Sequence, residues 1–153
     1  MTVFDWQAQQ TEQAAKMLAH TLKHTEADRL AWKPSADAKS ETRSAMEQVH
    51  ECIRVNASVA ARLQGGEAPA GGDAYPEDAE GAGRKLVQGA SSLAEVIRRL
   101  RPEVLETMFP SPMGEFPGAF MISLPASNMM YHVGQINYIQ TLYGDTEFRF
   151  PQD

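Results

Sequence analysis

The feature that most constrains the fold is the spacing of apolar residues, which repeats every three to four positions in four stretches. This period is typical of amphipathic α-helices, and no stretch shows convincing strand alternation. The first three predicted helices run from Phe4 to about Thr25, from Ser40 to about Leu63 and from about Arg84 to Arg101. The fourth ends at Tyr143-Gly144, and the sequence does not fix its first residue. Pro125 either opens the fourth helix or kinks one that begins earlier. The sequence therefore predicts an all-α four-helix bundle.

The stretches between the helices are irregular. Residues 65–83 are rich in Gly, Ala, Pro and acidic residues and offer almost nothing to bury, so we predict a mobile connection there. Four prolines and a glycine between Pro102 and Pro117 exclude a long helix and leave room for short extended pieces at Val104-Leu105 and Thr107–Phe109. A length of 153 residues predicts a single domain over 1–153.

The charge balance excludes several kinds of partner. The net charge of −6 argues against nucleic acid and against anionic membranes, both of which attract basic surfaces. We see neither a signal peptide nor an apolar run long enough to cross a bilayer, and a single cysteine fits a reducing compartment. We therefore predict a cytoplasmic protein. Cys52 lies off the apolar stripe of the second helix with nothing nearby to activate it, so we do not expect a nucleophile.

Polar residues on predicted inward faces mark a candidate site. At 100° per residue, His132 lies on the apolar stripe of the fourth helix, with Asn128 and Gln135 to one side, and His50 lies on the inward face of the second helix. Buried polar groups need partners. One interpretation is a divalent metal bound by the imidazoles. The other is a pair of core histidines hydrogen-bonded to neighbours such as Glu47 or Gln135.

A second pair, His20 and His24, has the i, i+4 spacing of a helical chelate. Both residues lie about 100–140° from the centre of the stripe formed by Met17, Thr21 and Thr25. We therefore predict that they are surface histidines rather than metal ligands.

Four sequence blocks resemble the DinB-like superfamily, which includes bacillithiol S-transferase and mycothiol-dependent maleylpyruvate isomerase relatives. The blocks occur in this order: Arg29–Pro34 (RLAWKP), Glu47–His50 (EQVH), and Tyr131–Ile136 (YHVGQI) running into Leu142–Asp145 (LYGD). The resemblance covers essentially the whole chain. The resemblance implies an up-down-down-up four-helix bundle, a homodimer, and a divalent metal held by three histidines.

The resemblance assigns roles to particular residues. His50 and His132 match two of the three metal ligands, and Asn128 stands where the third histidine is expected. Gln135, a water or an outside carboxylate would complete the ligand set, with Gln135 either binding the metal or supporting a ligand. The implied activity is a metal-dependent S-transferase, in which nickel, zinc or manganese activates a low-molecular-weight thiol for attack on an electrophile. An amide is a weaker ligand than imidazole. The alternative is therefore a non-catalytic, stress-related bundle that has lost the metal.

Overall fold

The computed structural model of the protein describes residues 1–35, 41–70, 74–147 and 149–151. Within these ranges the chain is mostly helical and carries one small antiparallel sheet. The helices are α1 (Val3–Lys23), α2 (Ala45–Leu63), α3 (Ala79–Arg98) and α4 (Gly118–Leu142). The strands are β1 (Met108–Ser111) and β2 (Gly114–Pro117), and the short 3-10 helices are Ala27–Arg29 and Pro102–Leu105. The four predicted helices are confirmed, and they pack as a bundle.

Each of the first two helices packs between the same two neighbours. Helices α1 and α2 each contact both α3 and α4, and they meet each other much less. The core has two apolar clusters, one around Leu18, Val49, Leu86 and Ile136 and one around Phe4, Val59, Leu93 and Met121. Gln48 contacts His132, so the first half of α2 lies beside the second half of α4.

Capping boxes fix the starts of α1 and α2. Thr2 accepts a hydrogen bond from the Asp5 backbone N–H, and Ser44 accepts one from that of Glu47. Each acidic side chain accepts a bond from the backbone N–H of its cap in return. Helix α2 therefore begins after Ser44, later than predicted, and the predicted cap Ser40 lies outside the described residues.

Helix α3 begins earlier than the sequence predicts, and it also ends earlier. Asp78 is its N-cap and accepts a bond from the Gly81 N–H at 2.7 Å, so residues 79–83 are helical. A Cβ atom at Gly83 would lie 3.3 Å from the Ala19 side chain, so this glycine lets α1 approach closely. The predicted connection over 65–83 is thus shortened at its end, and residues 71–73 lie outside the described part.

A β-hairpin precedes α4; its first strand overlaps the extended piece predicted at Thr107–Phe109, and its second strand was not predicted. Strands β1 and β2 pair with Phe109 opposite Phe116, while Val104-Leu105 belongs to a 3-10 helix rather than an extended piece. Helix α4 begins at Gly118, where a Cβ would collide with the Val104 carbonyl oxygen, and Pro125 lies inside the helix. Over the described ranges, no helix combines the length and apolar character that a bilayer crossing requires.

Candidate functional site

Three of the four predicted site residues line one cavity. His132 is 3 % exposed in the middle of α4. It shares a cavity of about 800 Å³ with Asn128, one turn before it, and Gln135, one turn after it. Helix α2 supplies the opposite wall through Gln48 and Glu51. The predicted polar patch on the fourth helix therefore faces a cavity between α2 and α4.

The fourth predicted residue, His50, lies elsewhere. Its Nε2 atom is 2.9 Å from the Pro76 carbonyl oxygen, which can only accept, so Nε2 donates. Its ring lies beside Tyr75, with the ring centroids 5.2 Å apart. His50 is not among the residues that line the His132 cavity, so the predicted meeting of the two histidines is not observed. The physical reason is that α2 packs between α3 and α4, and His50 faces the segment before α3.

Gln48 and Glu51 are the α2 residues that face His132, and the sequence prediction missed both. The distance from Glu51 Oε1 to His132 Nε2 is 3.5 Å. Glu51 also forms an ion pair with Arg43, which lies just before α2. The sequence feature that could have identified this side of the site is the i, i+3 pair of Gln48 and Glu51, which places two polar side chains on one face of α2.

Two amide oxygens fix the tautomer of His132. Its Nδ1 atom lies 2.9 Å from Gln48 Oε1 and 2.8 Å from Gln135 Oε1. The Gln48 amide nitrogen donates to the Arg43 carbonyl oxygen at 3.4 Å, so the amide oxygen must face the histidine. With oxygen acceptors on both sides, Nδ1 carries the hydrogen. The neutral ring therefore has its lone pair on Nε2.

The Nε2 atom of His132 is buried without a hydrogen-bond partner. Burial lowers the pKa of His132 below its ordinary value of 6.5, the hydrogen bond with Gln135 opposes this, and nearby Arg43 lowers it further. The neutral form is therefore favoured at neutral pH. An imidazole lone pair then faces a carboxylate oxygen, and two such acceptors attract a cation between them.

Asn128 completes the α4 side of the cavity. Its amide nitrogen lies 3.6 Å from Cys52 Sγ, so the amide oxygen is the acceptor that remains for the cavity. The prediction that Cys52 lies off the stripe is wrong, because its side chain is fully buried. Burial raises the pKa of the Cys52 thiol to about 12, which keeps it protonated, so it has none of the thiolate character of a nucleophile.

The cavity opens between two aromatic side chains. Tyr131 and Tyr138 are both exposed over more than half of their surface, and they line the cavity together with Gly134 of α4. Pro34 and Arg43 line it from the chain that leads into α2. Among the described residues that line the cavity, polar side chains such as His132 and Gln48 thus lie beside the aromatic rings of Tyr131 and Tyr138 and the cationic Arg43.

His20 and His24 form a separate pair at the end of α1. They are half-buried rather than at the surface as predicted, because their rings lie against each other with centroids 4.4 Å apart. The Nδ1 atom of His24 donates to the His20 carbonyl oxygen at 2.9 Å. In the ranges that the structure describes, no group of three His, Cys, Asp or Glu side chains is placed to hold a metal, here or elsewhere.

Comparison with known proteins adds no assignment. No protein-family model matches the sequence, and no curated protein matches it. The resemblance to the DinB-like superfamily therefore stays a prediction.

Proposed function

We propose that the protein binds a divalent metal ion between His132 and Glu51, with Asn128 as a third ligand. The observation that carries this proposal is the buried, unpartnered Nε2 atom of His132, which faces a carboxylate oxygen at 3.5 Å. Two ligand atoms bound tetrahedrally to zinc, each at about 2.1 Å, lie about 3.4 Å apart. The observed separation of the two atoms therefore suits two ligands of one metal ion.

The chemistry of the donor set agrees with this interpretation. One imidazole, one carboxylate and one amide oxygen are ligands that suit zinc, nickel and manganese. Hydrogen bonds from Nδ1 to Gln48 and Gln135 orient the ring and hold its Nε2 lone pair toward Glu51. Such partners of the second ring nitrogen are the usual companions of a metal-bound histidine. In this proposal Glu51 takes the place that the sequence assigned to His50.

The DinB-like part of the proposal draws support from the directions of the helices. Gln140 of α4 donates to the Thr21 carbonyl oxygen, which brings the ends of α1 and α4 together. Arg98 at the end of α3 contacts Glu12 in the middle of α1, and Pro76, just before α3, contacts His50 in the first half of α2. These contacts suit an up-down-down-up order.

The proposed activity is the transfer of a small thiol to an electrophile. A bound divalent ion would keep a coordinating thiol deprotonated at neutral pH. The residues of the chain would bind and orient the reactants: the cavity of about 800 Å³ is large enough for small molecules, and Arg43 offers a charge for an anionic group. The resemblance also implies a homodimer, and the composition predicts a cytoplasmic protein; we include both in the proposal.

A second candidate function is favoured by one contact. Arg43 already pairs with Glu51, so a cationic side chain is present where a metal would neutralise the carboxylate. A non-catalytic, stress-related bundle without metal would use this ion pair to satisfy Glu51. The two candidates differ in what Arg43 does: it competes with a metal in the first and replaces it in the second.

The test is metal binding by protein that has been purified without a metal-affinity step and stripped with chelator. We expect zinc, nickel or manganese at 100 times its dissociation constant to stabilise the fold by about 2.7 kcal/mol. At roughly 2–4 °C per kcal/mol for a chain of this size, the melting temperature should rise by roughly 5–10 °C. Elemental analysis after dialysis measures the stoichiometry, which we expect to be one ion per chain.

Three variants locate the site. His132→Ala and Glu51→Gln should each abolish the metal-dependent shift, whereas His50→Ala, the matched control, should retain it. Arg43→Ala should strengthen metal binding, because the competing cation is gone. If the wild-type protein binds none of the three metals and Arg43→Ala only lowers stability, the second candidate, a non-catalytic bundle without metal, is the correct one.

A further inference from the structure

A second cavity lies between α2 and α4, at the other end of their contact from the proposed metal site. It has a volume of about 250 Å³. Its walls come from α2 between Arg54 and Arg62, from the β-hairpin between Ser111 and Phe116, and from α4 between Phe120 and Leu124. We call it the hairpin cavity. It shares no lining residue with the His132 cavity, so the proposed function does not use it.

The inner walls of the hairpin cavity are apolar. Val59 of α2 and Met121 of α4 are buried in the core, and the rings of Phe116 and Phe120 stack with their centroids 4.6 Å apart. Phe120 and Met113 line the same cavity, but they remain 38 % and 76 % exposed to solvent. Apolar side chains that line a cavity and still contact water are stabilised when an apolar ligand covers them.

The α2 wall combines this apolar surface with a row of polar side chains. Arg54, Ser58 and Arg62 follow one another at intervals of four residues, and Val55 and Val59 form the neighbouring row. Residues four apart lie on one face of a helix, so each row runs along the cavity. A ligand that lies along α2 would therefore meet apolar groups on one side and cations on the other.

The two arginines of this wall have no ionic partner in the part of the chain that the structure describes. Glu47 and Glu51, which share a neighbouring cavity with Arg54, form their ion pairs with other cations. Arg62 lines an adjoining cavity with Glu67, again without an ion pair. No described Asp or Glu lines the hairpin cavity itself, although the chain has a net charge of −6. Cations beside a low-dielectric wall attract an anion.

Arg62 is held in place before any ligand binds. Its Nη1 atom donates to Ser58 Oγ at 2.7 Å, so the guanidinium lies one helical turn back along α2, in the direction of Arg54. This bond uses one of the five N–H donors of the group. The donors that remain can hold a carboxylate through two parallel hydrogen bonds. A side chain that is already ordered loses less conformational freedom on binding.

The hairpin wall is ordered at its turn and adaptable at its tip. Ser111 Oγ accepts a hydrogen bond from the Met113 N–H at 3.1 Å and donates to the Gly114 carbonyl oxygen at 2.9 Å. These bonds fix the turn that carries the Met113 side chain. Methionine is unbranched and flexible, so this wall can adjust to the shape of an apolar ligand.

We propose that the hairpin cavity binds an alkyl carboxylate, with the alkyl chain between α2, the hairpin and α4 and the carboxylate on Arg62, assisted by Arg54. A methylene group occupies about the volume of one water, roughly 30 Å³. A cavity of about 250 Å³ therefore suits a chain of roughly eight carbon atoms. This site does not depend on the proposed metal, and the two proposals can fail separately.

The first test is isothermal titration of the full chain with octanoate. We expect one octanoate per chain, with hexanoate roughly tenfold weaker because two methylene groups are missing. Octanol, which has the chain without the charge, should also be at least about tenfold weaker, and octylammonium should not bind. Equal affinities for octanoate, octanol and octylammonium, or no binding of octanoate at millimolar concentration, would overturn the proposal.

Vesicles distinguish a free carboxylate from a lipid surface. We expect the protein not to sediment with vesicles of phosphatidylglycerol. Sedimentation with these vesicles, combined with no binding of free octanoate, would assign the cavity to a membrane and contradict the proposal.

The second test places the ligand by supplying an internal anion. Ser58→Asp puts a carboxylate four residues from Arg54 and four from Arg62, where it can pair with both without disturbing the helix. We expect this variant to keep its melting temperature and to lose octanoate binding. The matched control Ser58→Asn is nearly identical in shape but neutral, and it should bind octanoate as the wild type does. Octanoate binding by Ser58→Asp with wild-type affinity would overturn the site.

A third variant separates the charge from the apolar walls. Arg62→Gln should weaken octanoate about tenfold and leave the affinity for octanol unchanged, because only the charged hydrogen bonds are lost. The matched control is Arg99→Gln on α3, an exposed arginine that lines neither the hairpin cavity nor the His132 cavity. Equal octanoate affinities for these two variants would show that Arg62 does not bind the carboxylate and would overturn its assignment.

Discussion

His50 and His132 are two histidines on neighbouring helices with different surroundings. His50 donates from Nε2 to the Pro76 carbonyl oxygen, and its ring packs beside Tyr75. His132 donates from Nδ1 to amide oxygens, and its Nε2 is buried without a hydrogen-bond partner, facing Glu51. Each neutral ring keeps one lone pair, on Nδ1 in His50 and on Nε2 in His132. The lone pair of His132 is the one that is buried opposite a carboxylate oxygen.

The difference shows that burial and helical phase do not by themselves mark a ligand. Both histidines lie on faces that point toward other helices, and both make strong hydrogen bonds. The deciding feature is the neighbour of the second nitrogen. The ring of His50 is held by the Pro76 carbonyl oxygen and packs beside Tyr75, whereas a carboxylate beside an unprotonated Nε2 gives His132 a place for a cation.

The strongest way to sharpen this contrast is Asn128→His. An imidazole in place of the amide adds a better ligand to the cavity that His132 and Glu51 already line. We expect zinc or nickel affinity to rise by at least about tenfold, equivalent to about 1.4 kcal/mol, in isothermal titration. The gain should survive the addition of His50→Ala and disappear with His132→Ala. An unchanged affinity would mean that position 128 does not reach the metal.

A smaller effect is expected from Gln48→Leu, which removes one of the two oxygens that orient His132. The loss of such a partner typically costs about tenfold in metal affinity. The matched control is Gln140→Leu, at another buried glutamine, which donates to Thr21 and Thr25 and does not line the cavity. That variant should lose stability and keep its metal affinity. Equal metal affinities for the two variants would mean that Gln48 does not contribute to metal binding.

The fold could be predicted where local chemistry dominates. The apolar period identified all four helices, and the predicted end of α2 at Leu63 agrees with the structure. Helix α3 was predicted to start late because residues 65–83, which include Gly81 and Gly83, offer almost nothing to bury. Their presence inside the helix depends on the Asp78 cap and on the close approach of Ala19, which is a tertiary contact. Of the two alternatives predicted for Pro125, the earlier start is the one observed, because α4 begins at Gly118 and contains the proline.

The site could be predicted on α4 and only in part on α2. His132, Asn128 and Gln135 share one cavity because they lie on one face of a single helix. On α2 the inward surface is divided between α3 and α4, and neighbouring residues differ by 100° in direction. That angle separates His50, which faces Pro76, from Glu51, which faces His132. Periodicity shows that a face is inward, but it does not show which helix it meets.

The smallest effect we predict is a pH dependence of stability measured in the presence of chelator. Burial lowers the pKa of His132 below the value of 6.5 that it has in the unfolded chain, so the unfolded state binds the proton more readily. Stability should therefore fall as the pH drops from 6.5 through the folded pKa, by about 1.4 kcal/mol for each unit of lowering. Glu51 and Arg43 are the charged groups that face the ring, and both remain in the variant His132→Gln. In urea unfolding, the free energy of unfolding of this variant should fall less between pH 7 and pH 5 than that of the wild type. Burial also lowers the pKa of His20, but this contribution is the same in both proteins. Identical slopes would mean that His132 binds its proton equally well in the folded and unfolded chain, and the contrast with His50 would then rest on hydrogen bonds alone.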